Sequence, residues 1–103
     1  MTVITVYVDI DGTLTDSPGR PHWAATVIPE RVQSVRRMIR QGYCVVLWSA
    51  RGADYASGFA TQYQIPAAHC LSKPDIIIDD AGRSLREDGH ITYFPPDQFA
   101  GRF

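Results

Sequence analysis

The chain has only two cysteines, no apolar run long enough to cross a bilayer and no excess of either charge, and each shortage removes a class of protein. Cys44 lies inside an apolar run, and Cys70 is too far along the chain to form a paired-cysteine zinc site or a redox pair with it. Both are read as reduced thiols of a cytoplasmic protein. The N-terminal apolar stretch is far shorter than the ~20 residues a membrane helix needs, and it carries no basic leader or small-residue cleavage site. Neither an anchor nor a signal peptide is expected. A formal net charge of −1 and a pI near 6.2 supply no overall attraction to nucleic acid or to an anionic membrane. Repeats and low-complexity tracts are missing as well. With 103 residues and 45% hydrophobic content, the chain suits one domain over 1–103 with a modest core.

The apolar residues that are present alternate between two periodicities. Residues 3–9 are a β-branched run, and residues 43–48 are apolar without alternation, as strands covered on both faces should be. Between them Ile28, Val32, Val35 and Ile39 recur at helical spacing, with Pro29 acceptable in the first turn and Gly42 placed to end the helix. Ala56, Phe59, Ala60 and Tyr63 predict a second helix over about 53–63. Ala68 to Leu71 reads as a short strand, Ile76 to Ile78 as a stronger one, and Ile91 to Phe94 as a last strand at an edge. A turn or two of helix is expected around Ser84 to Glu87, and Pro95 and Pro96 begin a loose tail. This alternation predicts an α/β fold: a three-layer sandwich with a mainly parallel central sheet, whose ligands bind beyond the strands' carboxyl ends.

Polar residues cluster where that rule expects them. Asp9 and Asp11 follow the first strand, with Gly12 to let the backbone turn; Ser49 ends the second, Lys73 precedes the Ile76–Ile78 run, and Asp79 with Asp80 ends it. Polar turns alone would also place Asp and Gly after a buried strand. Four ordered coincidences are harder to obtain that way. Phosphoryl transfer needs a positioned nucleophile, a cation, a metal and donors for the equatorial oxygens. An aspartate side chain is ionised at neutral pH, so Asp9 needs no base to attack and would form an aspartyl-phosphate. Asp11 could protonate the leaving oxygen and then activate water. Ser49 offers a hydroxyl and Lys73 a point charge to the nonbridging oxygens. Several carboxylates in one pocket repel unless a hard cation intervenes, which implies Mg²⁺.

These residues, Asp-x-Asp-Gly-Thr after a strand, an apolar strand ending in Ser, then Lys, then an apolar run ending in Asp-Asp, resemble the haloacid dehalogenase-like (HAD) superfamily over residues 3 to 80. The resemblance implies a Rossmann-like core and an Mg²⁺-dependent aspartyl phosphatase. It matches Asp9 to the nucleophile, Asp11 to the general acid/base whose backbone carbonyl also reaches the metal, and Ser49 and Lys73 to phosphate-binding positions. Asp80 matches a direct metal ligand, with Asp79 acting through a water. The chain departs from the commoner pattern in carrying Ser84 where another acidic residue usually stands. It also lacks room for a cap domain: residues 15–27 suffice only for a flap, and residues 52–72 hold one helix and its connections. It therefore resembles the capless type, with Leu47-Trp48-Ser49-Ala50-Arg51 similar to small bacterial sugar-phosphate phosphatases.

An open site leaves recognition to the flap, to a neighbouring subunit of a homo-oligomer, or to the substrate's own bulk. In the flap, His22 and Trp23 could contact a leaving group, although local packing is the commoner role. Arg51 could bind a second anionic group, and a solvated surface arginine is an equal alternative. Arg31, Arg36, Arg37 and Arg40 form the polar side of an amphipathic helix, which argues against nucleic acid as the partner. The leading expectation is a phosphomonoesterase acting on a small phosphorylated metabolite, such as a sugar phosphate or nucleotide, with no membrane partner. The alternatives are a phosphatase of macromolecular ends or phosphoproteins, and a noncatalytic binding module. Lys73 preceding the final acidic pair argues against a phosphoacceptor signalling domain.

Overall fold

The three strands run parallel and are joined by helices, in the order β1 (Thr5–Asp9), α1 (Pro29–Arg40), β2 (Cys44–Ser49), α2 (Ala53–Gln62) and β3 (His69–Ser72). This is a computed structural model, and it describes residues 2–78 and 94–101. The sheet order is β1-β2-β3, with Thr5 opposite Cys44, Asp9 opposite Trp48, and Ser49 opposite Ser72. That register brings the carboxyl ends of all three strands to one edge.

Local chemistry accounts for the helices. Pro29 opens α1, where its missing N–H would be unpaired anyway. Val32, Val35 and Met38 form the buried stripe of that helix. The chain then turns through Gly42 at φ 96° into β2. In α2 the capping residue is Gly52 at φ 110°, which has no side chain to cap with. Ser72 of β3 does this instead, its Oγ accepting from Ala53 N at 3.0 Å.

Val8, Val45 and Leu47 on one sheet face share a single core with Val32, Val35 and Met38 of α1 and with Ala56, Phe59 and Ala60 of α2. Both helices therefore cover the same face. Two successive right-handed crossovers that step in the same direction across a sheet can do nothing else. The opposite face carries Tyr7, Trp48 and Leu71; Tyr7 is 51% exposed and packs edge-on against Trp48, with ring centroids 4.9 Å apart. Neither α1 nor α2 covers it.

Three expectations need correction. The run Ile76 to Ile78 is not a strand: its residues are 80%, 56% and 95% exposed. β-branched composition favours extended backbone, but a strand exists only where another edge accepts its hydrogen bonds. Without it, β1 is an edge strand of the described sheet, and the expected helices on both faces are not seen among the described residues. The tail after Pro95 and Pro96 is not loose throughout, because Phe99 is buried in the core. The helical turn expected around Ser84 to Glu87, most of the strand expected at 91–94, and Asp79 and Asp80 lie outside the described residues.

The turn after β1 depends on Gly12. Its φ is +81°, and a Cβ placed there would meet Pro18 Cβ at 2.8 Å. Gly12→Ala should lower stability by at least roughly 1–2 kcal/mol, since left-handed backbone and a collision with the flap add together. A drop in the urea midpoint at unchanged slope checks this.

Candidate active site

The floor of the site is the turn that leaves β1. Ile10 carbonyl accepts from the N–H groups of Thr13, Leu14 and Thr15, which curls the chain back under the two aspartates. Thr15 is fully buried, and its Oγ1 accepts from Gly12 N at 3.1 Å. Thr13 Oγ1 donates to Asp9 Oδ2 at 3.1 Å, fixing that carboxylate from below. Thr13's own carbonyl accepts from Arg31 Nη1 at 3.0 Å, so α1 braces the loop.

Lys73, just past β3, places Nζ 3.0 Å from Asp9 Oδ1 and 5.6 Å from the centroid of the Trp48 ring. Its backbone N–H donates to Ser49 carbonyl at 3.0 Å, which ties the lysine to the end of β2. Ser49 is buried, and its Oγ accepts from Arg51 N at 3.0 Å. The hydroxyl proton is left to donate to a ligand. Strand ends that are distant in sequence thus bring Asp9, Ser49 and Lys73 to one place.

Asp11 faces a different set. Its Oδ2 accepts from Arg51 Nε at 2.5 Å, and its Oδ1 accepts from the Tyr55 hydroxyl at 2.5 Å. Burial pushes the Tyr55 hydroxyl up to about 12, and the bond to Asp11 adds to this, so Tyr55 holds its proton as the donor. The same hydroxyl accepts from His22 N at 2.7 Å, which links the acidic turn to the flap. Arg51 also lies 5.7 Å from the Tyr55 ring centroid, and its Nη2 reaches Gly19 carbonyl in the flap at 3.5 Å.

The flap is pinned at its base. Asp16 N donates to Thr26 carbonyl and Thr26 N donates to Asp16 Oδ1, both at 2.9 Å, beside an antiparallel bridge between Thr15 and Val27. His22 and Trp23 part ways within it. The His22 imidazole is buried among Trp23, Tyr55, Phe59 and Tyr63, and its Nδ1 has no hydrogen-bond partner among the described residues. Trp23 is 72% exposed. Burial holds the His22 pKa below its ordinary 6.5, against an opposing pull from Asp11.

The unfolded chain therefore takes up a proton at His22 before the folded chain does. Stability from this group is complete above about pH 6.5 and is lost as the pH falls through 6.5 toward the lowered folded value. The urea midpoint should fall between about pH 7.5 and about pH 5.5, and fall less in His22→Phe, which keeps the backbone bond to Tyr55.

Sequence reasoning singled out Asp9, Asp11, Ser49, Arg51 and Lys73, and the structure gathers these five at the carboxyl edge of the sheet. Asp79 and Asp80 lie outside the described residues. Among the described residues no three His, Cys, Asp or Glu side chains come together as a metal cluster. Tyr55 escaped the sequence reading, and Thr13 entered it only as part of the Asp-x-Asp-Gly-Thr motif, without a role. Thr13 was legible in principle, four positions after Asp9 across a glycine turn. Tyr55 was not, because it meets Asp11 only through the fold.

The class of protein so defined is an α/β fold with a parallel sheet and polar side chains at its carboxyl edge. Among the described residues no helix is long and apolar enough to cross a membrane. No protein family and no curated protein matches the chain. A crystal structure of a structural-genomics target from Vibrio cholerae is similar to it over 97% of this chain and 98% of that one, with a TM-score of 0.57 and 19% sequence identity. At that identity the likeness is one of fold.

Proposed function

We propose that this chain is an Mg²⁺-dependent phosphomonoesterase of the small capless HAD-like type, working through an aspartyl-phosphate on Asp9 and acting on a small phosphorylated metabolite. The observation that carries the reading is the ion pair between Lys73 and Asp9 at 3.0 Å, with Lys73 N bonded to the carbonyl of Ser49. A nucleophile, a phosphate-binding cation and a hydroxyl donor then stand at the ends of three neighbouring parallel strands. The three-layer core of that superfamily is part of the proposal and requires a further strand beyond β1.

The donor chemistry fits a hard cation. Asp9 offers a carboxylate and Asp11 a backbone carbonyl, both oxygen ligands, and the resemblance adds Asp80 directly and Asp79 through a water. Mg²⁺ would supply neutralisation of the charge shared by the phosphate and the carboxylates.

The chain's own residues supply the rest. Asp9 Oδ attacks phosphorus while the bond from phosphorus to the leaving oxygen breaks, and Asp11 gives that oxygen a proton. Ser49 and Lys73 hold the nonbridging oxygens. Water then attacks phosphorus, Asp11 takes its proton, and the bond to Asp9 breaks to release inorganic phosphate. Thr13 steadies the carboxylate between these steps. Incubation of the purified chain with an aryl phosphate should release phosphate in Mg²⁺ and stop on chelation. Absence of release at any Mg²⁺ concentration contradicts the proposal.

A further inference from the structure

Arg51 and Asp11 are paired in a way that would obstruct the proposed chemistry if nothing replaced one of them. Both carboxylate oxygens of Asp11 are engaged, one by Arg51 Nε and one by the Tyr55 hydroxyl. Each oxygen keeps a second lone pair, but the two bonds turn the carboxylate onto Arg51 and Tyr55, and it can turn toward a leaving group only by giving up one of them. The guanidinium is only partly used: Nε meets Asp11, Nη2 makes a long contact with Gly19 carbonyl, and the remaining N–H groups have no protein acceptor among the described residues.

The position of Arg51 is set firmly. Its N–H bonds to Ser49 Oγ, its guanidinium lies against Tyr55, and Gly52 at φ 110° turns the chain into α2 directly behind it. It bridges Asp11, two residues beyond Asp9, and the flap at Gly19. The far end of a substrate whose phosphate rests on Ser49 and Lys73 would reach this bridge. Asp11 Oδ2 on Nε shows that the guanidinium takes a carboxylate oxygen there, and its planar fork suits a carboxylate or a phosphate equally.

We propose that the substrate is a phosphate monoester carrying a second anionic group, a carboxylate or another phosphate, and that this group takes Arg51 and thereby frees one oxygen of Asp11. This rests on the phosphatase reading above and adds the substrate class to it. A monoester without the second anion leaves the Arg51–Asp11 pair intact and turns over poorly. The exchange conserves the charge-assisted bonds at Arg51, because one oxyanion replaces another.

The test uses matched pairs with Mg²⁺: glycerol 3-phosphate against 3-phosphoglycerate, and fructose 6-phosphate against fructose 1,6-bisphosphate. The doubly anionic member of each pair should have the higher kcat/KM by roughly 10- to 100-fold, the range of a charged hydrogen bond. In Arg51→Met that ratio should fall to about one, and Arg51→Lys, which keeps the charge and loses the fork, should lie between. Circular dichroism checks that each variant is folded, and the wild-type ratio is informative without either. Equal rates for both members in the wild type overturn this inference and leave the phosphatase reading standing. A preference that survives in folded Arg51→Met overturns the assignment to Arg51. Phosphate released from none of the four esters, nor from an aryl phosphate, overturns both.

Discussion

Asp9→Asn is expected to lose at least roughly 10⁴-fold in turnover while keeping its fold, because an amide oxygen is too weak a nucleophile to open a phosphoester. The structural consequences should be small. Asp9 and its partner Lys73 are both partly exposed, with side-chain exposures of 29% and 36%, so the loss of that pair costs no more than about 1 kcal/mol. An asparagine can still accept from Thr13 through its carbonyl oxygen. Thermal melting and a single-turnover assay on the same preparation separate the two effects. A melting point within a few degrees of wild type together with undetectable phosphate release is the expected pair of results. Near-normal turnover would remove Asp9 as the nucleophile.

Asp11→Asn should slow turnover by roughly 10²–10⁴-fold, the usual contribution of a positioned acid and base. The loss should be uneven across substrates. An aryl leaving group departs without much help from an acid, so its first step survives and the hydrolysis of the phosphorylated enzyme becomes limiting. A poor alkyl leaving group needs the proton, so its first step slows instead. A burst of phenol with slow phosphate release, seen with the aryl ester and missing with the alkyl ester, is the expected signature. Equal slowing of both, without a burst, would argue that Asp11 only positions Arg51 and Tyr55.

The fold was legible wherever the signal was local. The stripe Val32, Val35 and the stop at Gly42 lie within α1 or immediately beside it, and the structure places that helix at Pro29–Arg40. The apolar run at 43–48 became β2 at Cys44–Ser49, because the burial of Val45, Val46 and Leu47 is already stated by their side chains. Ile76 to Ile78 misled because composition reports the tendency to extend and says nothing about a partner edge. Phe99 was missed because two prolines describe the backbone near it, whereas its burial depends on residues far along the chain.

The same division runs through the site. Asp9, Ser49 and Lys73 were recognisable because strand ends of a parallel sheet converge by topology alone, and the 3.0 Å ion pair follows from that convergence. The pairing of Arg51 with Asp11 was not, since it depends on how the residues after β2 fold over the turn after β1. Tyr55 was hidden for the same reason: one turn of α2 carries it to Asp11 and to His22 N, and neither contact has a sequence spacing that announces it.

The most direct test of the central claim is to trap the phosphorylated enzyme. Asp11→Asn mixed with an aryl phosphate and Mg²⁺, quenched in acid and reduced with borohydride, converts an acyl-phosphorylated aspartate to homoserine, which peptide mass spectrometry can place. Homoserine at position 9, dependent on substrate and on Mg²⁺, is the result this account predicts. Homoserine at another aspartate, or an unmodified Asp9 in a preparation that still releases the phenol, would contradict it.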